Sequence, residues 1–530
     1  MDHPEQLNSD AVEPRGVPRD GRASPLRSLW FQLALSAGGG VWWAFCFDER
    51  PGLLVPVAAI VPLLLITATA PGPGRRLWLG WLHGTVAWLV AVPWIASTLT
   101  LYGGLPSVAS ASLLTVLALY LGLYHGVFCW LAGPALARRD VLSLVLVPAV
   151  WVSLEWVRGL GPFGFPWNLL GYAWVDVPGA LDVTRWVGSH GLSGLVVVFG
   201  LALLGFADAK TRRFAAVAVA VVVALLGVAR WTNPEWPQRA ASALEVRLQQ
   251  PNIHMETVEM QQESAGVRLT RIQTNYQSLF AFSRLSCEPD TLVVWPESAG
   301  WPYELERDVA FARDVEDLVA GGCSLLFNST RRFESGDEEG AYNSAYLLTP
   351  SEGAADRQIY DKMHLVPFGE YVPLGRLLPR LRQLARNTGS YSPGNEVRLL
   401  DHGDVRLGVS ICFEIVFPAQ VAARVRRGAS VLVTMTNDSW YGRTWAPYQH
   451  LRPARFRAAE NSRPLIRAAI TGISAVINHR GEIEMIAPID EVYGLDTPVF
   501  PLDRMTLFSR APLLVPLLCV ALAGFAILRR

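Results

Sequence analysis

Tyr360-Asp361-Lys362-Met363-His364-Leu365-Val366-Pro367-Phe368-Gly369-Glu370 stands between two shorter stretches, Val294-Trp295-Pro296-Glu297-Ser298 and Ser410-Ile411-Cys412-Phe413-Glu414. Their polar residues run carboxylate, ammonium, thiol in chain order. These are the parts of a cysteine-based acyl-transfer site. A thiol attacks a carbonyl, a carboxylate takes the thiol proton, and an ammonium steadies the developing charge. Glu297 follows an apolar run over 291–295 that reads as a strand, and Cys412 closes a second such run over 405–412. In α/β sheets, sites collect at strand carboxyl ends. Lys362 follows no run that reads clearly as a strand.

Outward from these motifs, residues 238–510 look like an ordinary soluble domain. Val246-Arg247-Leu248-Gln249 alternates as a strand does, and Leu269, Ile272, Tyr276 and Leu279 recur at helical spacing. Further strands are expected over 324–328, 345–349 and 430–436, with a late pair over 464–470 and 473–478 around Thr471-Gly472. The acidic, Gly-bounded 334–340 segment reads as a surface turn between strands. Alternating elements of this kind predict an α/β sandwich.

The rest of the chain is different. Of 530 residues, 51% are hydrophobic and 17% charged, against roughly 25% charged for a soluble chain. The deficit sits in 29–231, where seven apolar stretches (29–46, 52–70, 77–97, 107–136, 141–157, 191–208 and 213–231) approach the length of a membrane helix, and an eighth, 512–528, ends the chain. Trp30, Trp42, Trp43, Trp78, Trp81 and Trp94 lie near stretch ends, as interfacial aromatics do. The first stretch has no small-residue cleavage site and is not a signal peptide. A polar tail, 1–28, precedes it and reads as disordered.

Basic residues set the orientation. Arg15, Arg19, Arg22 and Arg27, then Arg75 and Arg76, Arg138 and Arg139, Lys210 with Arg212 and Arg213, and Arg529 with Arg530 occupy every second connection. The positive-inside rule makes that side cytoplasmic and puts 238–510 on the outer face. Formal net charge is zero, so nothing points to nucleic acid. Cys46, Cys129 and Cys519 lie in or beside apolar stretches, where a buried inert thiol is the default. A disulfide between Cys287 and Cys323 is open if their domain faces an oxidising space. The aromatic, Gly/Pro-rich 151–172 connection carries Glu155 and Arg158, three apart and able to pair on one helix face. It reads as a membrane-surface loop or as the wall of a lipid cleft.

At these residues the chain resembles the apolipoprotein N-acyltransferases. The resemblance rests on the span count, Gly164-Phe165-Pro166-Trp167-Asn168-Leu169-Leu170, Gln250-Pro251-Asn252-Ile253, the Glu297 and Lys362 motifs, Cys412 and Asn437-Asp438-Ser439-Trp440-Tyr441-Gly442. It implies eight transmembrane helices with a nitrilase-like α-β-β-α sandwich inserted between the seventh and eighth. It implies Glu297 as general base, Lys362 as oxyanion and thiolate stabiliser, Cys412 as nucleophile and Glu370 as a supporting carboxylate. Phe413 and Glu414 would shape the surroundings of the thiol, and Asn437, Asp438 and Trp440 would form a turn near the pocket. A monomer is implied, with no metal or organic cofactor. A phospholipid would give an acyl chain to Cys412, and the N-terminal amine of a diacylated apolipoprotein would take it, at the outer face of a bacterial inner membrane. The apolar segments 374–378 and 440–445 read either as arms reaching toward lipid or as packed loops of a core. The chain departs from the family at Phe413, often Tyr, and at Ile470, usually Asn, which bears on substrate handling.

Taken singly, Glu297 reads as a strand-end charge, Lys362 as surface and Cys412 as a core thiol. In this order and context they read as catalytic. His364 and His450 have no partner at ligand or triad spacing, and His364 reads as locally hydrogen bonded. Two rivals stand beside the acyltransferase: a membrane-tethered amidase of a small amide, and a carrier with an inert sensor domain.

Overall fold

The computed structural model describes residues 28–49, 54–138, 140–233, 243–285, 287–335, 338–350, 357–371 and 391–528. The tail before residue 28 and the 374–378 segment lie outside them. Each of the eight apolar stretches holds helix: Leu29–Phe45, Val61–Thr69, Pro73–Ala91 with Trp94–Leu101, Ser107–Ala137, Ser143–Arg158, Ala180–Gly205, Arg212–Trp231 and Leu514–Leu528. Among the described residues, Ser107–Ala137, Ala180–Gly205 and Arg212–Trp231 are long and apolar enough to cross a membrane. The third stretch bends by 52° between Ala91 and Trp94, and the bent pair would make a fourth. The bend falls at Pro93, which has no N–H to continue the helix. The sixth stretch begins earlier than expected, at Ala180. Its helix breaks at Gly188, whose φ of 69° only glycine holds readily and where a Cβ would stand 2.6 Å from the Phe508 ring.

Tryptophan placement departs from the interfacial expectation. Trp30, Trp42 and Trp78 are exposed, but Trp43 and Trp94 are buried. Trp43 packs on Trp88 with ring centroids 5.2 Å apart, and Trp94 packs on Tyr441 at 4.7 Å. These rings fill the interior because the helices cross close together there.

Strands β1 (Leu244–Gln250), β2 (Leu292–Val294), β3 (Ser324–Ser335), β4 (Glu338–Leu348) and β5 (Gln358–Asp361) form one sheet with β12 (Tyr493–Val499), in the order β12-β1-β2-β3-β4-β5. Strands β6 (Leu400–His402), β7 (Val405–Ile411), β8 (Val431–Thr436), β9 (Leu465–Ala469), β10 (Ala475–Ile477) and β11 (Ile483–Ile486) form the other, in the order β11-β10-β9-β8-β7-β6. Within each sheet the inner strands β1-β2-β3 and β7-β8-β9 are parallel. Side chains alternate between faces. On β2, Leu292 and Val294 join the layer between the sheets, with Val409, Ile411 and Val433. Val293 faces outward into a core with Phe280, Phe311 and Val315.

Helices Ala265–Arg284 and Val309–Ala320 cover the first sheet, and Pro418–Arg426 and Ala446–Asn461 cover the second. This is the expected α-β-β-α sandwich. Its second helical layer packs directly on the apolar helices. Glu460 Oε1 accepts from Ser189 N at 2.7 Å, at the turn freed by the Gly188 break, and Arg457 donates to Tyr172 OH at 3.2 Å. The two parts therefore share one core.

Candidate active site

Parallel strands deliver two of the three residues. Glu297 leaves the carboxyl end of β2 and is followed by Ser298 at φ 63°. Strand β7 ends at Ile411, one residue sooner than the sequence suggested. Cys412 instead opens a tight 3-10 turn, Cys412–Val416, at φ 52°. A non-glycine residue held there costs on the order of 1–3 kcal/mol and marks a turn that the surroundings impose. Lys362 follows β5, a four-residue strand with no clear alternation, which is why no strand signal preceded it. Strand β5 pairs with β4, and Lys362 N donates to Asn343 O at 2.9 Å.

Charges meet in a buried cluster. Lys362 Nζ lies 2.8 Å from Glu370 Oε1 and 3.4 Å from Glu297 Oε1. Asn343 Nδ2 donates to Glu297 Oε1 at 2.9 Å and to Glu370 Oε1 at 2.8 Å, and Asn437 N donates to Glu297 Oε2 at 3.0 Å. Val366 N donates to Glu370 Oε2 at 2.8 Å, fixing the second carboxylate to its own loop. Lys362 is 1% exposed. Burial alone would lower its ammonium, but Glu370 and Glu297 outweigh burial and hold it well above the usual lysine range.

Cys412 is buried beside these groups. Burial raises its thiol above the usual range, Glu297 raises it further, and Lys362 pulls the other way without prevailing. Two carboxylates against one ammonium leave a net negative site, so a further anion is disfavoured. Cys412 therefore rests as a thiol, and any nucleophilic role for it would need a base. Lys362 does favour the thiolate, as expected, but burial and Glu297 together outweigh it.

Glu414 does more than line the thiol. It is fully buried and accepts from Tyr360 OH at 2.8 Å, Met363 N at 2.8 Å, His364 N at 3.2 Å and Ile411 N at 2.9 Å, with Arg424 Nη2 at 3.1 Å. One carboxylate thus clasps the Lys362 loop to the end of the Cys412 strand. Asn343, Tyr360 and Arg424 were not legible as site residues. Asn343 is brought here by the sheet register and Arg424 by the packing of helix Pro418–Arg426, while Tyr360 sits two residues before Lys362 with nothing local to mark its bond to Glu414.

Asn437 caps the turn Asp438–Tyr441, its Oδ1 accepting from Ser439 N at 3.2 Å. Asp438 Oδ1 meets His450 Nδ1 at 3.0 Å, so His450 has a carboxylate partner that its sequence neighbourhood does not show. Burial works to raise the Asp438 carboxyl, but Arg467 and His450 prevail and push it down to about 2. His364 Nδ1 lies 3.2 Å from Gln420 Nε2, the local bond expected.

The loop after helix Ser143–Arg158 closes the other side. Trp167 stacks on Phe413 with ring centroids 6.3 Å apart and planes at 19°, and its Nε1 donates to Gln449 Oε1 at 2.8 Å. Glu155 and Arg158 hold that loop: Glu155 Oε1 accepts from Leu170 N at 2.7 Å and Arg158 donates to Trp167 O at 2.9 Å. They grip the loop's backbone from one helix end. The 440–445 segment also packs on protein. Thr98 donates to Trp440 O at 2.7 Å, and the Trp445 ring lies 5.4 Å from Phe45. Ile470 carries no side-chain polarity, yet its carbonyl accepts from Asn252 N at 2.9 Å. Among the described residues no group of His, Cys, Asp and Glu could hold a metal ion.

Two family models match this chain: the apolipoprotein N-acyltransferase N-terminal domain over 37–202 and carbon-nitrogen hydrolase over 271–491. The apolipoprotein N-acyltransferase of Geobacter metallireducens is 35% identical over 468 residues, covering 85% of this chain and 86% of that protein. Those of Vibrio cholerae and Ralstonia nicotianae are each 30% identical. They cover 90% and 99% of this chain, and 93% and 98% of their own lengths.

Proposed function

This chain belongs to the apolipoprotein N-acyltransferase family, and from there we propose that it moves a fatty acyl chain from a phospholipid, through a Cys412 thioester, to the N-terminal α-amine of a diacylated apolipoprotein. Glu297 takes the Cys412 proton as sulfur attacks the ester carbonyl. Lys362, with a backbone N–H just after Cys412, steadies the oxyanion. The carbonyl re-forms, the glycerol oxygen leaves with the proton from Glu297, and lysophospholipid departs. The acceptor amine then attacks the thioester, Glu297 takes an amine proton, and the C–S bond breaks as the amide forms. The departing sulfur recovers its proton from Glu297. Glu370 and Asn343 hold Glu297 and Lys362 in place, and Glu414 fixes their separation from Cys412.

One observation carries the lipid reading over the amidase: Phe413, next to the nucleophile, lies against Trp167 of the apolar part. A small soluble amide needs no such neighbour. Eight membrane crossings, with residues 238–510 on the outer face, complete the reading. The Cys287–Cys323 disulfide supports it, since such bonds persist in oxidising compartments. That bond joins the approaches to β2 and β3, away from the carboxyl ends that bear the site. Cys323→Ser is therefore expected to lower unfolding stability by about 2–4 kcal/mol while acyl transfer per folded molecule stays unchanged. Thermal unfolding beside an activity assay checks both.

The function is tested with phospholipid vesicles and a diacylglyceryl-cysteine lipopeptide. A free N-terminal amine is expected to gain one acyl chain, and an N-acetylated lipopeptide none. Ammonia release from small amides with the lipopeptide untouched would establish the amidase instead.

A further inference from the structure

Strands β7 and β8 run parallel with Ile411 opposite Met435. The next residues, Cys412 and Thr436, therefore leave the sheet side by side. Thr436 is fully buried, and its Oγ1 donates to Asp438 Oδ1 at 2.9 Å. The register sets this hydroxyl at the strand end next to Cys412, and it favours the ionised form of that thiol. Asp438 does not depend on it, because Arg467 Nη2 stands 2.6 Å from Oδ2 and His450 Nδ1 stands 3.0 Å from Oδ1. A hydroxyl has one proton to give and lone pairs to accept with. Beside a thiol, Thr436 gives its proton to Asp438. Beside a thiolate, that proton has a better use, and Asp438 keeps two cationic or N–H partners when the hydroxyl turns away.

We propose that Thr436 is a positioning residue for the nucleophile: its hydroxyl turns from Asp438 to the Cys412 sulfur as the thiolate forms. This rests on Cys412 being the nucleophile. No bond to Thr436 forms or breaks. The Cys412 proton goes to Glu297, and Thr436 keeps its own. The arrangement answers a need of this site, where burial and a neighbouring carboxylate oppose the thiolate and Lys362 is shared between two carboxylates. Cys412 is faced by Glu297 from β2, Lys362 from β5, and Asp438 and Tyr441 from the turn after β8. Of these only Lys362 favours its ionisation, so a neutral donor at Thr436 counts.

The test is alkylation of Cys412 by iodoacetamide in the full chain in detergent, read on the Cys412 peptide by mass spectrometry from neutral to alkaline pH. Thr436→Val keeps the shape and loses the hydroxyl. Its alkylation midpoint is expected to move to higher pH, with a rate near neutrality about tenfold lower, the weight of one hydrogen bond to a charged group. Thr436→Ser is expected to match the parent. If the Val variant does not fold, Thr436→Ala and Thr436→Ser both lack the methyl, and their difference reads the hydroxyl. An unshifted profile in the Val or Ala variant, or a Ser variant that behaves as Ala does, overturns the proposal. Alkylation needs no acyl donor, so a failure of the lipid reading would leave this result standing.

Discussion

Glu297→Gln is expected to slow acylation of Cys412 by about a thousandfold, within the range that general bases supply, while making the thiol easier to ionise. The two effects run in opposite directions, and that is their value. Glu297 raises the Cys412 thiol by charge, so removing that charge lowers the thiol toward its ordinary range. At a given pH more thiolate is then present, and the midpoint of Cys412 alkylation moves down. Acyl transfer falls regardless, because glutamine neither takes the thiol or amine proton nor returns one to the leaving oxygen. The glutamine carbonyl can still accept from Asn343 Nδ2 or from Asn437 N, so the cluster keeps its shape. Lys362 remains an ammonium throughout, since Glu370 still pairs with it at 2.8 Å. Single-turnover acylation and the alkylation profile, measured on one preparation, decide the matter. If both rates fall together, Glu297 is holding the site in shape and is not its base.

Glu414→Ala is expected to be the most damaging change outside the three reacting groups. It removes the acceptor of Met363 N, His364 N and Ile411 N, and it takes the carboxylate partner from the Arg424 guanidinium, which is 1% exposed. Breaking a buried ion pair from one side costs about 3–5 kcal/mol. The functional loss should exceed what unfolding explains. The clasp sets the distance between the Lys362 loop and the Cys412 turn, and a misplacement of about 1 Å costs on the order of a hundredfold. Thermal unfolding and acylation per folded molecule separate the two. Glu414→Gln keeps a carbonyl for some of the donors and should fall between parent and Ala. An Ala variant with lowered stability and parental acylation would reduce Glu414 to a structural brace.

The motif residues were legible because chemistry constrains them locally. Pro296-Glu297 and Ile411-Cys412 end apolar runs, and such ends fall at one edge of a parallel sheet. Glu370 stands eight residues from Lys362 in the same loop motif, so it too is visible. What stayed hidden depends on register. Asn343 reaches Glu297 because β4 lies between β3 and β5, and nothing around Ala341-Tyr342-Asn343-Ser344 announces that. Asp438 and His450 are twelve apart, on a turn and the helix after it, and they meet only when that helix packs back. The apolar stretches were found by composition, but their breaks were not. Pro93 bends the third, and Gly188 lets the sixth begin early against Phe508. The α/β sandwich followed from alternation of elements and its α-β-β-α layering from the family resemblance, whereas the packing of the second helical layer on the apolar helices follows from contacts such as Trp167 on Phe413. Periodicity carries no such information.

The most direct test of the account is the intact mass of the purified chain after incubation with phospholipid, beside a Cys412→Ala control. The account predicts a gain of one acyl chain on the parent alone, removed by hydroxylamine. A folded parent that gains no mass in the presence of lipid, or a Cys412→Ala chain that gains the same mass, would contradict it.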